Sequence, residues 1–526
     1  MAGEHQAAAH PLRHRRARPR QDRRPQRAAL LRTRLISGLA AGLSLGALLA
    51  LAFPAPSWWW LAWVGVVPLL LVVRAAPTPH QAAARAWCAL AGFVLATQYW
   101  LAPSAGPMLV VLAAGLGALW APWGWAAHRL LAQRPLTARR MLAAVLVLPS
   151  VWVMAEAVRS RPGMGGPWEL LGDSQWNRPA TLASASLGGV WLTSFLLVAT
   201  NTALTGVILA RCVRGRLVAF LVAAACTAAG PLYYVLEPKP PADATVDVAL
   251  VQPGAIVDST AREKAGQMLT AALAARRVDL VVWGESSVGV DLASHPTVMA
   301  ELMDLSRRIG ADLLVNVDAP APTGGIYKSS VLVGPTGSLG DYRKVRLVPF
   351  GEYVPLRAVL GWITRHTKAA AEDRGRGSGP VVLHAGALSV GPRISFEALF
   401  ADLARQDVRL GAQLLAYQSS TSTFQGSWAQ PQLAGHIAVH AVEVGHPAVH
   451  TGLSGDSAAF DARGRRLVWL VSSYRGTAVV RVPLGSVTTV YQRLGNWVVV
   501  LSGTITVCAG AAGILRWLAG RASARA

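Results

Sequence analysis

Seven apolar runs follow one another in the first half of the chain, each close to the roughly 20 residues that a helix needs to cross a bilayer. They cover about Leu35 to Phe53, Ser57 to Val73, Ala86 to Ala102, Met108 to Ala127, Met141 to Val158, Leu187 to Ala210 and Leu217 to Leu236. From residue 240 to 486 the apolar runs shorten to strand length and alternate with amphipathic stretches. Val246–Val251, Val278–Trp283, Asp312–Val317, Ser330–Val333, Leu388–Ile394, Gln413–Tyr417, Ala448–Leu453 and Thr477–Val482 read as strands. Thr260–Arg277, Thr297–Ile309, Ala398–Arg409 and Gln430–Val444 read as helices. An eighth apolar run, about Leu494 to Leu518, closes the pattern. The expected architecture is a multi-span α-helical membrane bundle of about eight transmembrane helices with an α/β domain inserted before the last of them.

Composition agrees: 53% of the 526 residues are hydrophobic and only 15% charged, which points away from a soluble protein. The excess of 50 Lys and Arg over 27 Asp and Glu would suggest nucleic acid if it covered a soluble fold. Instead it concentrates in residues 1–34, with ten Arg between Arg13 and Arg34, and in short loops. Arg74 and Arg85, then Arg129, Arg134, Arg139 and Arg140, then Arg211, Arg214 and Arg216 occupy alternate loops, while Phe53 to Ser57 and Ala102 to Pro107 carry no positive charge. The positive-inside rule therefore predicts cytoplasmic N and C termini and an extracytoplasmic α/β domain in a multi-pass plasma-membrane protein. The expected division is a basic arm at 1–34, the seven-span region at 35–236, the α/β domain at 240–486, a last span at 494–518 and a cytoplasmic tail at 519–526. The Arg15-Arg16 and Arg23-Arg24 pairs resemble an export signal or a surface for RNA or anionic lipid, but further spans follow at once and no small-residue cleavage site is evident. Cys88, Cys212, Cys226 and Cys508 all lie in or beside apolar runs, so none supplies a thiol nucleophile to the polar domain.

Three strand-like runs of the α/β domain end on residues suited to acyl transfer. Asp279 to Gly284 delivers Glu285. The Ser330 to Val333 run and its Gly334-Pro335-Thr336-Gly337 turn lead to Lys344, and Glu352 follows eight residues later. Leu388 to Ile394 reaches Ser395, Phe396 and Glu397 at a strand-to-helix corner, a geometry that exposes a nucleophile. The Glu, the Lys with its Leu347-Val348-Pro349-Phe350-Gly351-Glu352-Tyr353-Val354-Pro355 run, and the corner resemble a carbon-nitrogen hydrolase (nitrilase) domain. With the hydropathy profile they resemble the membrane-embedded apolipoprotein N-acyltransferase family over nearly the whole chain.

The resemblance implies an αββα sandwich and a catalytic set of Glu285, Lys344 and Ser395. Glu285 would be the general base. Lys344 would face the oxyanion. Glu352, Glu397 and Phe396 would support them, Glu352 by pairing with Lys344 and Glu397 either by orienting Lys344 or by capping the following helix. One departure is chemical: the family's nucleophile is a cysteine. A serine hydroxyl needs an adjacent base, so an acyl-serine enzyme, an inactive relative and a substitution made to trap the protein all fit. Other departures are Ser420 to Phe424 in place of Asn-Asp-x-Trp-Phe, His440-Ala441-Val442-Glu443 in place of Arg-Ala-x-Glu, and the missing tryptophan after Val251-Gln252.

The loop Arg159 to Ala180 carries Gly166-Pro167-Trp168 and Leu171-Gly172-Asp173-Ser174-Gln175. It resembles the family's segment at the membrane face of the active site, and equally suits an interfacial loop with Trp168 and Trp176 at headgroup depth. His436, His440 and Glu443, with His446 just beyond, have spacing that can bind zinc, but lack the metalloprotease order and fall on an expected packing helix. The implied activity moves an acyl chain from a phospholipid donor to the α-amino group of a lipoprotein's N-terminal diacylglyceryl cysteine, without metal, nucleotide cofactor or nucleic acid. The alternatives are a catalytically impaired membrane scaffold for a separate enzyme, such as a polyprenol-phosphate mannosyltransferase, and a membrane-tethered amidase.

Overall fold

The structure is a computed structural model describing residues 24–132, 136–241, 244–320, 325–365 and 372–523. Most of the basic arm, Arg134 and the end of the tail lie outside the described residues.

Among the described residues, six helices are long and apolar enough to cross a membrane: Arg32–Ala52, Met108–Leu131, Ala138–Arg159, Val190–Leu209, Val213–Leu236 and Trp497–Ala519. The chain is a multi-pass membrane protein. Two of the expected eight spans take another form. The Ser57 to Val73 run divides at Gly65 into the short helices Leu61–Val64 and Val66–Arg74. The Ala86 to Ala102 run lies in the helix Pro79–Thr97, which starts earlier because Thr78 accepts the Gln81 amide at 3.2 Å and Pro79 occupies the first turn. This helix packs on the first one through glycines. A Cβ added at Gly46 would lie 1.8 Å from the Ala89 carbonyl oxygen, and one at Gly92 2.1 Å from that of Leu43. Small residues thus allow backbone contact where no hydrophobic force between helices operates.

Among the described residues the α/β domain contains twelve strands: β1 (Thr245–Gln252), β2 (Leu280–Trp283), β3 (Asp312–Pro320), β4 (Ile326–Gly334), β5 (Gly337–Arg343), β6 (Leu383–Ala385), β7 (Leu388–Ile394), β8 (Leu414–Ser419), β9 (Ala448–Gly452), β10 (Ser457–Phe460), β11 (Arg466–Leu470) and β12 (Gly476–Pro483). They form two six-stranded sheets, ordered β12-β1-β2-β3-β4-β5 and β11-β10-β9-β8-β7-β6. β1, β2 and β3 run parallel in one sheet and β7, β8 and β9 in the other, so the C-terminal ends of β2, β7 and β8 are where connecting loops carry polar residues. The facing sides interdigitate Val248, Leu250, Val282 and Leu314 with Val390, Leu414, Ala416 and Val449. Helices Ser259–Ala271 and Pro296–Ile309 cover the first sheet, and Ala401–Arg409 and Ala429–Val444 the second, giving four layers, α-β-β-α. The second helical layer also joins the membrane half, because Phe396, Phe400, Leu433 and Ile437 share one core with Val153, Leu170, Trp191 and Val498.

Two helices are shorter than their periodicity predicts. The expected Thr260–Arg277 helix ends at Ala271. The expected Ala398–Arg409 helix starts at Ala401, because Ser395–Leu399 forms a tighter 3₁₀ turn at the corner.

Candidate active site

Glu285 follows β2 through Gly284, where a Cβ would come within 2.4 Å of the Leu453 amide. The tight approach locks the carboxylate's backbone to the second sheet: the Glu285 amide donates to the Ser419 carbonyl at 3.1 Å, and the Ser420 amide donates to Glu285 Oε2 at 3.0 Å. The next residue, Ser286, has φ +56° and donates its amide to Asn316 Oδ1 at 2.8 Å. Lys328, paired with Asp318 at 2.7 Å, also reaches the Ser286 hydroxyl.

Lys344 leaves β5 with its side chain wholly buried. Its Nζ lies 2.8 Å from Glu352 Oε1 and 3.7 Å from Glu285 Oε1. Burial pulls the ammonium's pKa down, but Glu352 and Glu285 outweigh it and hold the value above the ordinary lysine range. Glu352 also accepts Arg374 Nη1 at 2.8 Å and the Val348 amide at 2.9 Å. Burial alone would raise its pKa; Lys344 and Arg374 bring it below the ordinary carboxylate range.

Ser395 sits where β7 ends, half-buried, with φ +53°. A left-handed serine costs on the order of 1–2 kcal/mol, which the surrounding contacts sustain. Chief among these is Glu397, fully buried. Its Oε1 accepts the Val345 amide at 2.8 Å and the Arg346 amide at 2.9 Å, its Oε2 accepts the Ile394 amide at 3.0 Å, and Tyr342 Oη donates to both oxygens. Glu397 thus holds the backbone of the two residues after Lys344 against the corner and caps the 3₁₀ turn there. Register places this corner beside Glu285: Ile394 of β7 pairs with Gln418 of β8, and Ser420, two residues on, holds the Glu285 carboxylate. Among the described residues none hydrogen-bonds the Ser395 hydroxyl.

Phe396 points toward the membrane half. Its ring stands 5.0 Å from Phe400 and meets Gly166 of the Arg159 to Ala180 loop, where an added Cβ would be 3.0 Å from the ring. Trp168 of that loop lies 5.0 Å from Trp100 and 6.1 Å from His436. Trp176 is buried, 4.8 Å from Trp469 of β11. The histidines of the Ala429–Val444 helix are used internally. His440 engages Glu443 Oε2 at 2.8 Å and the Ala398 carbonyl at 2.9 Å, while Glu443 Oε1 accepts the Val190 amide at 2.8 Å. Burial pushes His436 down to about 3.

Sequence reasoning missed Gln418, whose Nε2 donates to the Trp283 carbonyl at 2.8 Å and to that of Leu314 at 3.0 Å, tying the two sheets together behind the site. No local signal marks it: it simply follows the apolar run Leu414 to Tyr417. It also missed Arg393, which donates to Tyr342 Oη at 2.7 Å and pairs with Asp407.

These features define a carbon-nitrogen hydrolase fold carried on a membrane bundle, and comparison with known proteins agrees. The family model for the apolipoprotein N-acyltransferase N-terminal domain matches residues 45–203, and that for carbon-nitrogen hydrolase matches 247–492. An apolipoprotein N-acyltransferase from Geobacter metallireducens is 28% identical over 455 residues, covering 80% of this chain and 84% of the relative. One from Gloeobacter violaceus is 29% identical over 520 residues, covering 92% and 95%. Among solved structures, an amidase from Nesterenkonia sp. is 18% identical with a TM-score of 0.35, covering 47% of this chain and 92% of that one. The chain belongs to the apolipoprotein N-acyltransferase family.

Proposed function

We propose that the protein is an acyltransferase that acylates the α-amino group of a lipoprotein's N-terminal diacylglyceryl cysteine, using a phospholipid as donor and Ser395 as nucleophile. The observation that carries this reading is the buried Lys344 ammonium, set between Glu352 and Glu285 and tied through Glu397 to the Ser395 corner. Glu285 takes the Ser395 proton as Oγ bonds to the donor's carbonyl carbon, and Lys344 stabilises the oxyanion. The ester C–O bond then breaks and Glu285 returns the proton to the departing lysophospholipid. In the second half the amine attacks the acyl-serine, Glu285 accepts an amine proton, and Ser395 leaves reprotonated.

Both substrates are lipid-anchored, so a catalytic domain seated on a membrane bundle gains from confinement. The arginine-bearing alternate loops support an extracytoplasmic catalytic domain with both termini in the cytoplasm. On that reading the chain divides into the basic arm, the membrane region, the hydrolase-like domain, the last span and a short tail.

The test is mass spectrometry of a lipoprotein N terminus from a strain lacking other N-acyltransferases. Supplying this chain should yield the triacylated form, Ser395→Ala should not, and Ser395→Cys should yield at least as much. Equal triacylation by Ser395→Ala removes Ser395 as nucleophile.

A further inference from the structure

We infer that the junction between the catalytic domain and the last membrane helix is a binding site for one anionic phospholipid, separate from the acyl-transfer site. Arg405 and Arg409, one turn apart on the helix Ala401–Arg409, both donate to the same acceptor, the Gln492 carbonyl, each at 3.3 Å. Arg493 follows that carbonyl directly. Two guanidinium groups thus meet at one carbonyl, the exposed Arg493 is next to it in the chain, and among the described residues no carboxylate lies within 4.0 Å of any of the three. Both acids of the helix are committed elsewhere, Asp402 to Arg346 and Asp407 to Arg393. Nε of Arg405 is buried without a partner, and its guanidinium lies against Gly495, where a Cβ would be 2.6 Å from Nη1. Like charges held this close repel, and an oxygen-rich anion with forked acceptors is the group that relieves them.

The shape beside the charges selects a lipid. A shallow, largely open groove of about 440 Å³ begins at Leu494 and Asn496 and runs along Trp497, Val500, Leu501 and Thr504 of the helix Trp497–Ser523. Its far end is apolar and exposed, with Val500 and Leu501 both turned outward. Trp497 donates its indole N–H to the Leu187 carbonyl at 2.9 Å, fixing the wall where an interfacial tryptophan belongs. A phosphate at the arginines and an acyl chain along Val500 and Leu501 satisfy both ends. None of Glu285, Lys344 or Ser395 lines it. The bound lipid would brace Ala401–Arg409, the helix whose Asp407 holds Arg393 behind the nucleophile corner.

The test is native mass spectrometry of the full chain released from nanodiscs of phosphatidylcholine containing a minority of phosphatidylglycerol. The wild type and Ser395→Ala should each retain one phosphatidylglycerol. The triple variant Arg405→Gln, Arg409→Gln, Arg493→Gln should lose roughly 100-fold in apparent affinity, from the contribution of each arginine at an anionic lipid surface. Filling the groove with Val500→Trp and Leu501→Trp should also abolish retention. In the wild type, retention should weaken as salt rises, an arm that holds even if a variant fails to fold. Inorganic phosphate alone should bind far more weakly. Retention equal in the wild type and a folded triple variant, equal preference for phosphatidylcholine, or insensitivity to salt would each overturn the inference.

Discussion

Lys344 Nζ lies 2.8 Å from Glu352 Oε1, inside a site from which its side chain has no contact with solvent. A buried pair gains little over an apolar replacement, but removing one member strands the other, at a cost of about 3–5 kcal/mol. Glu352→Gln is therefore expected to destabilise the domain by that order and to slow acyl-enzyme formation, measured by thermal unfolding and by the rate of acyl-adduct appearance.

The same pair sets a pH dependence. The folded-state pKa of Glu352 is depressed, so its contribution is present above the unfolded carboxylate value of about 4.3 and lost as pH falls through the lower folded value. That of Lys344 is raised, so its contribution is complete below about 10.4 and lost only above it. The stability gap between wild type and Glu352→Gln should stay level from about pH 5 to 10 and close in acid, as followed by thermal unfolding across pH.

Ser395 holds φ +53°, a conformation that only glycine adopts freely. Ser395→Gly should raise stability by about 1 kcal/mol while abolishing acyl transfer. A gain in melting temperature together with a complete loss of adduct would separate strain at the corner from packing. A fall in melting temperature would place the serine side chain among the stabilising contacts.

Glu397 faces three backbone amides and one hydroxyl donor. Glu397→Gln puts an NH₂ group against N–H donors, so at least one amide loses its acceptor, at about 1–3 kcal/mol. The Lys344 loop and the Ser395 corner should loosen together. Amide hydrogen exchange should rise at Val345, Arg346 and Ile394 while β1 and β2 keep their protection.

Legibility in the sequence followed physical scale. The strand Leu388–Ile394 was predicted with both ends correct, since an apolar run bounded by turn residues admits few registers. β5 escaped notice because Gly337 to Arg343 is mostly exposed, with only Tyr342 buried, so no alternation marks it. β10, Ser457–Phe460, is buried throughout but only four residues long, and its first three side chains are small. At the site, Glu285, Lys344 and Glu352 were readable because each ends or follows a strand or sits in a distinctive run, and the structure brings these three into direct contact. What Glu397 does was not readable. Its partners, Tyr342, Val345, Arg346 and Ile394, are set by tertiary pairing of β5 with the corner, and no local pattern records that. Gln418 and Arg393 were hidden for the same reason, as polar residues inside strands whose purpose appears only when two sheets and a helix are assembled around them.

On the proposed mechanism Ser395 carries the acyl group under the field of Lys344. The most direct measurement is intact-protein mass spectrometry after incubation with phospholipid and no acceptor, followed by fragmentation to locate the adduct. A single acyl addition on Ser395 is expected in the wild type, none in Ser395→Ala, and formation slowed by roughly 100-fold or more in Lys344→Met, the scale of losing one oxyanion-stabilising group. An adduct on another residue, or one that forms at the wild-type rate without the Lys344 ammonium, would contradict it.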